Sequence, residues 1–193
     1  TEGLMLVGML HDDYLKIRSK YKKPAVLIDS YTPKNIARYV NIGLDDEEGG
    51  YLMTKYLLDC GHRKIAFLAD NMEGVDYIRY TGHQRALQEY GLDIDLDNLI
   101  VIRPSKYERQ GNMEEIYAVA HKFTAFMCCS DYYAVTLMKY LKAKGIRFPE
   151  DLSITGFDDN LYAQLACPSL TTIHQDIFQR GTIAAEYLFK MID

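Results

Sequence analysis

Residues Leu152–Asn160 read Leu-Ser-Ile-Thr-Gly-Phe-Asp-Asp-Asn (LSITGFDDN). A short apolar, β-branched run passes directly into two adjacent carboxylates, Asp158 and Asp159. Acids at the end of a buried strand either close a turn or present acceptors to a ligand. The remainder of the chain bears on that choice, because the same device recurs. Ala25–Ile28 runs into Asp29-Ser30, Ile65–Ala69 into Asp70-Asn71, and Ala125–Cys129 into Ser130-Asp131. One strand-end Asp reads as a cap or turn. Four in one chain point to a shared polar cleft.

Between these runs the apolar period changes to that of a helix. Asp45-Asp46-Glu47-Glu48 opens one, with acids where the helix dipole favours them, and Leu52, Tyr56, Leu57 and Leu58 give it an apolar face up to a stop at Gly61. A second is expected over 76–90, with Ile78, Gly82, Ala86 and Leu87 on one side and Gly91 as its stop. A third covers 108–122. A fourth, capped by Asp131, carries Ala134, Leu137, Met138 and Leu141 and stops at Gly145. The last spans 177–192. Leu4–Val7, Tyr39–Ile42, Ile100–Ile102 and Ile154–Phe157 complete the expected strands. Strands alternating with helices specify an α/β protein whose parallel sheets are buried on both sides. In such sheets ligands bind outside the carboxyl ends of the strands, where the paired polar residues fall.

The 193 residues are 48% hydrophobic and 25% charged, an ordinary globular composition, enough for one large domain or two small lobes. The net charge of −5 argues against a nucleic-acid surface spread over this segment, without excluding a basic module elsewhere. No apolar run reaches the ~20 residues that span a bilayer, and the N-terminus does not read as a signal peptide. Cys60, Cys128, Cys129 and Cys167 form no CxxC motif or regular framework. They are expected as reduced, mostly buried thiols of a cytoplasmic protein, with Cys128 and Cys129 on opposite faces of one strand. No phosphate loop, dinucleotide fingerprint or nucleophile elbow occurs. The five histidines show no metal-binding spacing. No catalytic constellation, metal site or cofactor is expected, so an α/β enzyme is disfavoured.

Three segments taken together resemble the effector-binding domain of the lactose-repressor/galactose-repressor (LacI/GalR) family of bacterial transcription regulators. They are DDEEGGYLMTKYLLDCGHRKIAFLAD (45–70), IRYTGHQRAL (78–87) and GIRFPEDLSITGFDDNLYAQLACPSLTTIHQD (145–176). The resemblance implies two Rossmann-like lobes of the periplasmic-binding-protein-like type I, joined by three crossovers. Residues 1–61 and 159–193 would form the first lobe, incomplete here, and 62–158 the second. Hinges would lie near Gly61, Asp158–Asn160 and Leu170–Thr172. The chain would be truncated at both ends, with the family's helix-turn-helix preceding it.

The resemblance further implies a small-molecule effector, a sugar or derivative, between the lobes, DNA bound by the absent module, and a homodimer. Arg79 matches the arginine of the family's R-x-x-G step, and its five-donor fork suits hydroxyls, carboxylates or phosphates. Gly82 is expected to let that helix approach its sheet closely. Asp158 matches the effector carboxylate, with Asp159 bracing the turn. Ser130-Asp131 stands where sugar-binding relatives carry Asn-Asp, so a hydroxyl replaces an amide. Asp29, with Ser30, would line the first-lobe side, and Tyr107 falls where relatives place an aromatic lid. The alternative is a sugar-binding protein of a transport system, which shares the fold and is distinguished by a signal segment.

Overall fold

A computed structural model of the chain describes residues 2–8, 16–17, 20–29, 39–70, 72–102 and 109–192. Its strands are β1 (Leu4–Val7), β2 (Ala25–Ile28), β3 (Tyr39–Ile42), β4 (Ile65–Ala69), β5 (Leu99–Val101), β6 (Ala125–Cys128) and β7 (Ser153–Thr155). Its helices are α1 (Asp46–Asp59), α2 (Gly74–Glu89), α3 (Arg109–Ala120), α4 (Asp131–Ala143), α5 (Leu161–Leu165) and α6 (Ile177–Ile192). The strands form two parallel sheets, ordered β1-β2-β3 and β5-β4-β6-β7.

The chain divides into two compact units. The first comprises 1–45 and 175–193, the second 46–174. The boundaries expected at 61 and 159 therefore fall inside the second unit. Helix α1 belongs there because it packs along α2. Residues 159–174 stay because Gly156 and Asp158 donate their N–H groups to Thr171 O (2.9 Å) and Ile173 O (3.0 Å). That pairing continues the line of β7 after Thr155, where a longer strand was expected.

In the first unit β2 is the central strand and is buried along its length. Ala184, Leu188 and Met191 of α6 pack on Val26, Ile28, Val40 and Ile42. In the second unit β4 and β6 are central and buried on both faces. Their residues alternate between two apolar layers. Ala66, Leu68, Phe126 and Cys128 face α3 and α4, while Ile65, Phe67, Ala69, Met127 and Cys129 face α1 and α2. Cys128 and Cys129 thus occupy opposite faces, as their adjacency requires. Cys60 and Cys167 are exposed, so the expectation of mostly buried thiols holds for only half of them.

Helix α1 buries Gly49, Gly50, Met53, Thr54, Leu57 and Leu58. Leu52 and Tyr56, expected on its apolar face, are exposed. The reason is the contact with α2, where two backbones nearly touch. A Cβ on Gly50 would lie 2.1 Å from Arg79 O, and one on Gly82 would lie 1.9 Å from Glu47 O. Gly82 therefore admits the neighbouring helix rather than the sheet. Beneath this crossing Thr54 donates to Gly50 O (2.9 Å), and its Oγ1 lies 2.9 Å from Nδ1 of His83, which is 2% exposed. Burial pushes the His83 pKa down to about 3.

Two outcomes follow from this layer. Gly82→Ala is expected to cost about 3 kcal/mol, because backbone cannot yield as a side-chain tip does. Gly181→Ala, at an α6 position with nothing within 4 Å of the new methyl, should add about 0.5–1 kcal/mol. Equal midpoints of urea unfolding for the two variants would refute the close packing. The second concerns pH. An unfolded histidine protonates near 6.5, whereas folded His83 stays neutral until about 3, so its contribution to stability is present above 6.5 and lost as pH falls. Between pH 6.5 and 5 this amounts to about 2 kcal/mol, at about 1.4 kcal/mol per pH unit. His62, whose pKa burial also lowers, adds in the same sense. His83→Gln should flatten the dependence, and an unchanged slope would rule His83 out as its source.

Candidate functional site

Parallel strands all end on one edge of their sheet, and the helices that follow begin there. In the second unit that edge carries Asp70 after β4, Cys129-Ser130-Asp131 after β6, and Phe157-Asp158-Asp159 beyond β7. Arg79, in the second turn of α2, reaches into this rim and is 7% exposed. Its Nε donates to Asp46 Oδ1 (2.9 Å) and its Nη1 to Cys129 O (2.5 Å). The guanidinium carbon lies 3.6 Å from the centre of the Phe157 ring. Nη2 stands 3.8 Å from Asp158 Oδ1. Arg79 is therefore held on three sides, with the 5%-exposed Asp46 as counter-charge.

The separation from Asp158 is the chemically informative one. At 3.8 Å it exceeds hydrogen-bond length, and the Asp158 side chain is 30% exposed. A hydroxyl can bridge groups at such a separation, accepting from Nη2 and donating to the carboxylate. An anionic oxygen at the same point would sit against the Asp158 charge. The pair thus suits the hydroxyls of a neutral polyol better than a carboxylate or phosphate.

Asp131 occupies the first turn of α4 and is completely buried. Ser130 is the N-cap residue in its place, extended at φ −152°, but makes no side-chain capping bond. The Asp131 carboxylate accepts from the Thr172 hydroxyl at Oδ1 (2.6 Å) and from the Asn160 N–H at Oδ2 (2.9 Å). Its own N–H donates to Phe157 O (2.8 Å). Burial raises its pKa, the bonds from Thr172 and Asn160 oppose that rise, and the nearby Asp159 charge adds to it. Asp159 in turn pairs with His174 at 2.8 Å. Asp70 donates its N–H to Asp76 Oδ2 (2.8 Å).

The rim therefore brings together Arg79, Asp158, Asp131 and Ser130. Asp29 lies in the first unit, after β2, where both its oxygens receive Arg180 Nη1 (2.5 and 2.6 Å). Arg180 Nη2 donates to Gln175 Oε1 (2.6 Å). Ser30 and Tyr107 lie outside the described residues. Asp46, Phe157, Thr172 and Arg180 were not singled out from sequence. Asp46 reads there only as a first-turn acid, and Arg180 carries no signal of its own, since Asp29, like the Arg79 partner of Asp46, is remote in the chain. Among the described residues no His, Cys, Asp and Glu group could hold a metal ion, and no helix is long and apolar enough to cross a membrane.

The family model of the periplasmic binding protein-like domain matches residues 54–193. The arabinose metabolism transcriptional repressor of Geobacillus stearothermophilus is 34% identical over 173 residues, covering 81% of this chain and 46% of the repressor. The chain thus spans about half the length of the curated relatives it matches. A regulatory protein of the LacI family from Chloroflexus aggregans superposes with a TM-score of 0.85 at 26% identity, over 100% of this chain and 69% of that one. The transcriptional regulator CelR in complex with cellobiose superposes with a TM-score of 0.86 at 26% identity, over 100% and 59% respectively.

Removing one partner of a buried ion pair strands the other charge. Asp46→Ala is accordingly expected to cost about 3–5 kcal/mol in chemical denaturation. Glu48→Ala, which breaks the half-exposed pair with Arg85, should cost far less. Comparable losses would show that Arg79 does not depend on Asp46.

Proposed function

This chain belongs to the periplasmic binding protein-like family, in the form carried by LacI/GalR regulators, and from that premise we propose that it is the effector-sensing domain of a transcriptional regulator. The observation that carries this reading is the Arg79–Asp158 pair at the carboxyl edge of a parallel sheet. In the proposal these two residues take hydroxyl groups of a small neutral effector, a sugar or sugar derivative. Ser130, at the same edge after β6, is a further candidate. A sugar is consistent with the cellobiose complex of the neighbouring regulator.

The domain would control a separate DNA-binding module. Effector bound at the rim favours one arrangement of the protein over another only by the difference in its affinity for the two. Leu161, Tyr162 and Leu165 on α5 are 65%, 53% and 75% exposed, and this apolar face supports assembly as a homodimer. The free thiols of all four cysteines fit a cytoplasmic protein.

The test is a thermal-shift screen of the intact protein against free sugars, their phosphates and purines. A probe at ~100 times its dissociation constant adds about 2.7 kcal/mol, a shift of roughly 5–10 °C. The expected result is a shift with a free sugar that Asp158→Ala cuts by more than half, through weaker but measurable binding, while leaving the unliganded midpoint within about a degree or two. A hit that survives Asp158→Ala undiminished would move the binding site elsewhere. No hit across the panel would remove small-molecule sensing from the proposal.

A further inference from the structure

The turn that carries Asp158 is strained. Asp158 and Asp159 are consecutive non-glycine residues with φ of 127° and 53°. Such conformations persist only where the surroundings over-determine them. Here three successive amides are fixed from outside the turn. Asp158 N–H donates to Ile173 O (3.0 Å), Asp159 N–H to Thr172 Oγ1 (3.3 Å), and Asn160 N–H to Asp131 Oδ2 (2.9 Å). The Thr172 hydroxyl that receives the second bond gives its own proton to Asp131 Oδ1 (2.6 Å). Two of the three anchors therefore lead to one carboxylate. The residue entering the turn is tied to it as well, since Asp131 N–H donates to Phe157 O (2.8 Å).

Space is arranged for this contact. A Cβ on Gly156 would lie 2.3 Å from Asp131 Oδ1, so only glycine lets the strand exit pass so close. With no exposure and both oxygens engaged, Asp131 does not present its carboxylate to a ligand. We infer that Asp131 is a positioning residue for effector binding: from full burial it fixes the Asp158–Asn160 turn, so that the Asp158 carboxylate faces Arg79, and it makes no contact with the effector. This rests on the proposed role of Asp158 as an effector ligand.

The experiment has two arms. In the first, hydrogen exchange is followed at the amides of 158–160 in the unliganded intact protein, for wild type, Asp131→Asn and Thr172→Val. Asp131→Asn keeps the shape but turns an amide N–H₂ toward one of the two donors. Thr172→Val removes both the acceptor of the Asp159 N–H and one of the two donors to the Asp131 carboxylate. Both should speed exchange at 159 and 160 roughly tenfold or more, the scale of one charge-assisted hydrogen bond, with protection in β6 and α4 retained. Wild-type protection at 158–160 in both variants would overturn the inference. If Asp131→Asn fails to fold, Thr172→Val decides this arm.

In the second arm, titration calorimetry with L-arabinose and cellobiose as probes completes a double-mutant cycle between Asp131→Asn (or Thr172→Val) and Asp158→Ala. The weakening caused by the first change should vanish in the Asp158→Ala background. Losses that add would indicate direct contact and overturn the inference. Absence of wild-type binding to either probe would count against sugar sensing, while the exchange arm would still decide whether Asp131 sets the turn.

Discussion

A guanidinium taken out of water must meet its counter-charge and its hydrogen-bond acceptors where it sits. Arg79 imposes that condition on the whole second unit. It requires Asp46 at the start of α1, the carbonyl of Cys129 at the end of β6, and the ring of Phe157 as its stacking surface. Those groups come from three separate chain segments, so the ion pair fixes the positions of α1, α2 and the strand ends together. It also explains the two glycines at the helix crossing. Asp46 can reach Arg79 only if α1 and α2 run almost backbone to backbone, and Gly50 and Gly82 remove the side chains that would prevent it.

The cost of the rim's geometry is offset nearby. Residues in sparsely populated backbone regions cost about 1–3 kcal/mol each, and Asp158 and Asp159 are two such residues in succession. Three amide bonds and the buried Asp131 carboxylate balance that strain with fixed partners. In the proposed reading, Asp131 is an acid that acts through its burial. Fully solvated it would exchange its bonds with water and the turn would relax. Held dry and doubly bonded, it keeps the neighbouring Asp158 aimed while remaining out of reach.

Much of this was legible in the sequence. Short β-branched runs between periodic segments give the seven strands among the described residues to within a residue or two, and α6 at its observed limits, because burial on both sheet faces leaves an unambiguous apolar signature. Gly61, Gly91 and Gly145 end their helices with positive φ, as their positions imply. The packing partners of those elements were less legible. Gly61 reads equally well as a helix stop and as a hinge. Nothing in the periodicity of α1 says that its glycine face, rather than Leu52 and Tyr56, turns inward. The five-residue α5 is too short for a periodic signal, and only the side chain of Asn160, accepting from Tyr162 N–H at 2.9 Å, starts it.

The site residues divide along the same line. Arg79 and Asp158 were singled out because a motif and a strand end mark them, and the structure sets them 3.8 Å apart. Asp131 was found for its position at a strand end, yet the backbone turns its carboxylate inward. A one-dimensional pattern locates an acid at a rim but does not give its direction. The difference carries chemical weight. If Arg79 faced the rim alone, an anionic ligand would be the natural partner. With Asp46 already its counter-charge and Asp158 beside it, Arg79 offers no net positive charge, so what the pair can recognise is a group that both donates and accepts. A hydroxyl meets that requirement and a phosphate oxygen does not, and the proposal of a neutral, hydroxyl-rich effector rests on that difference.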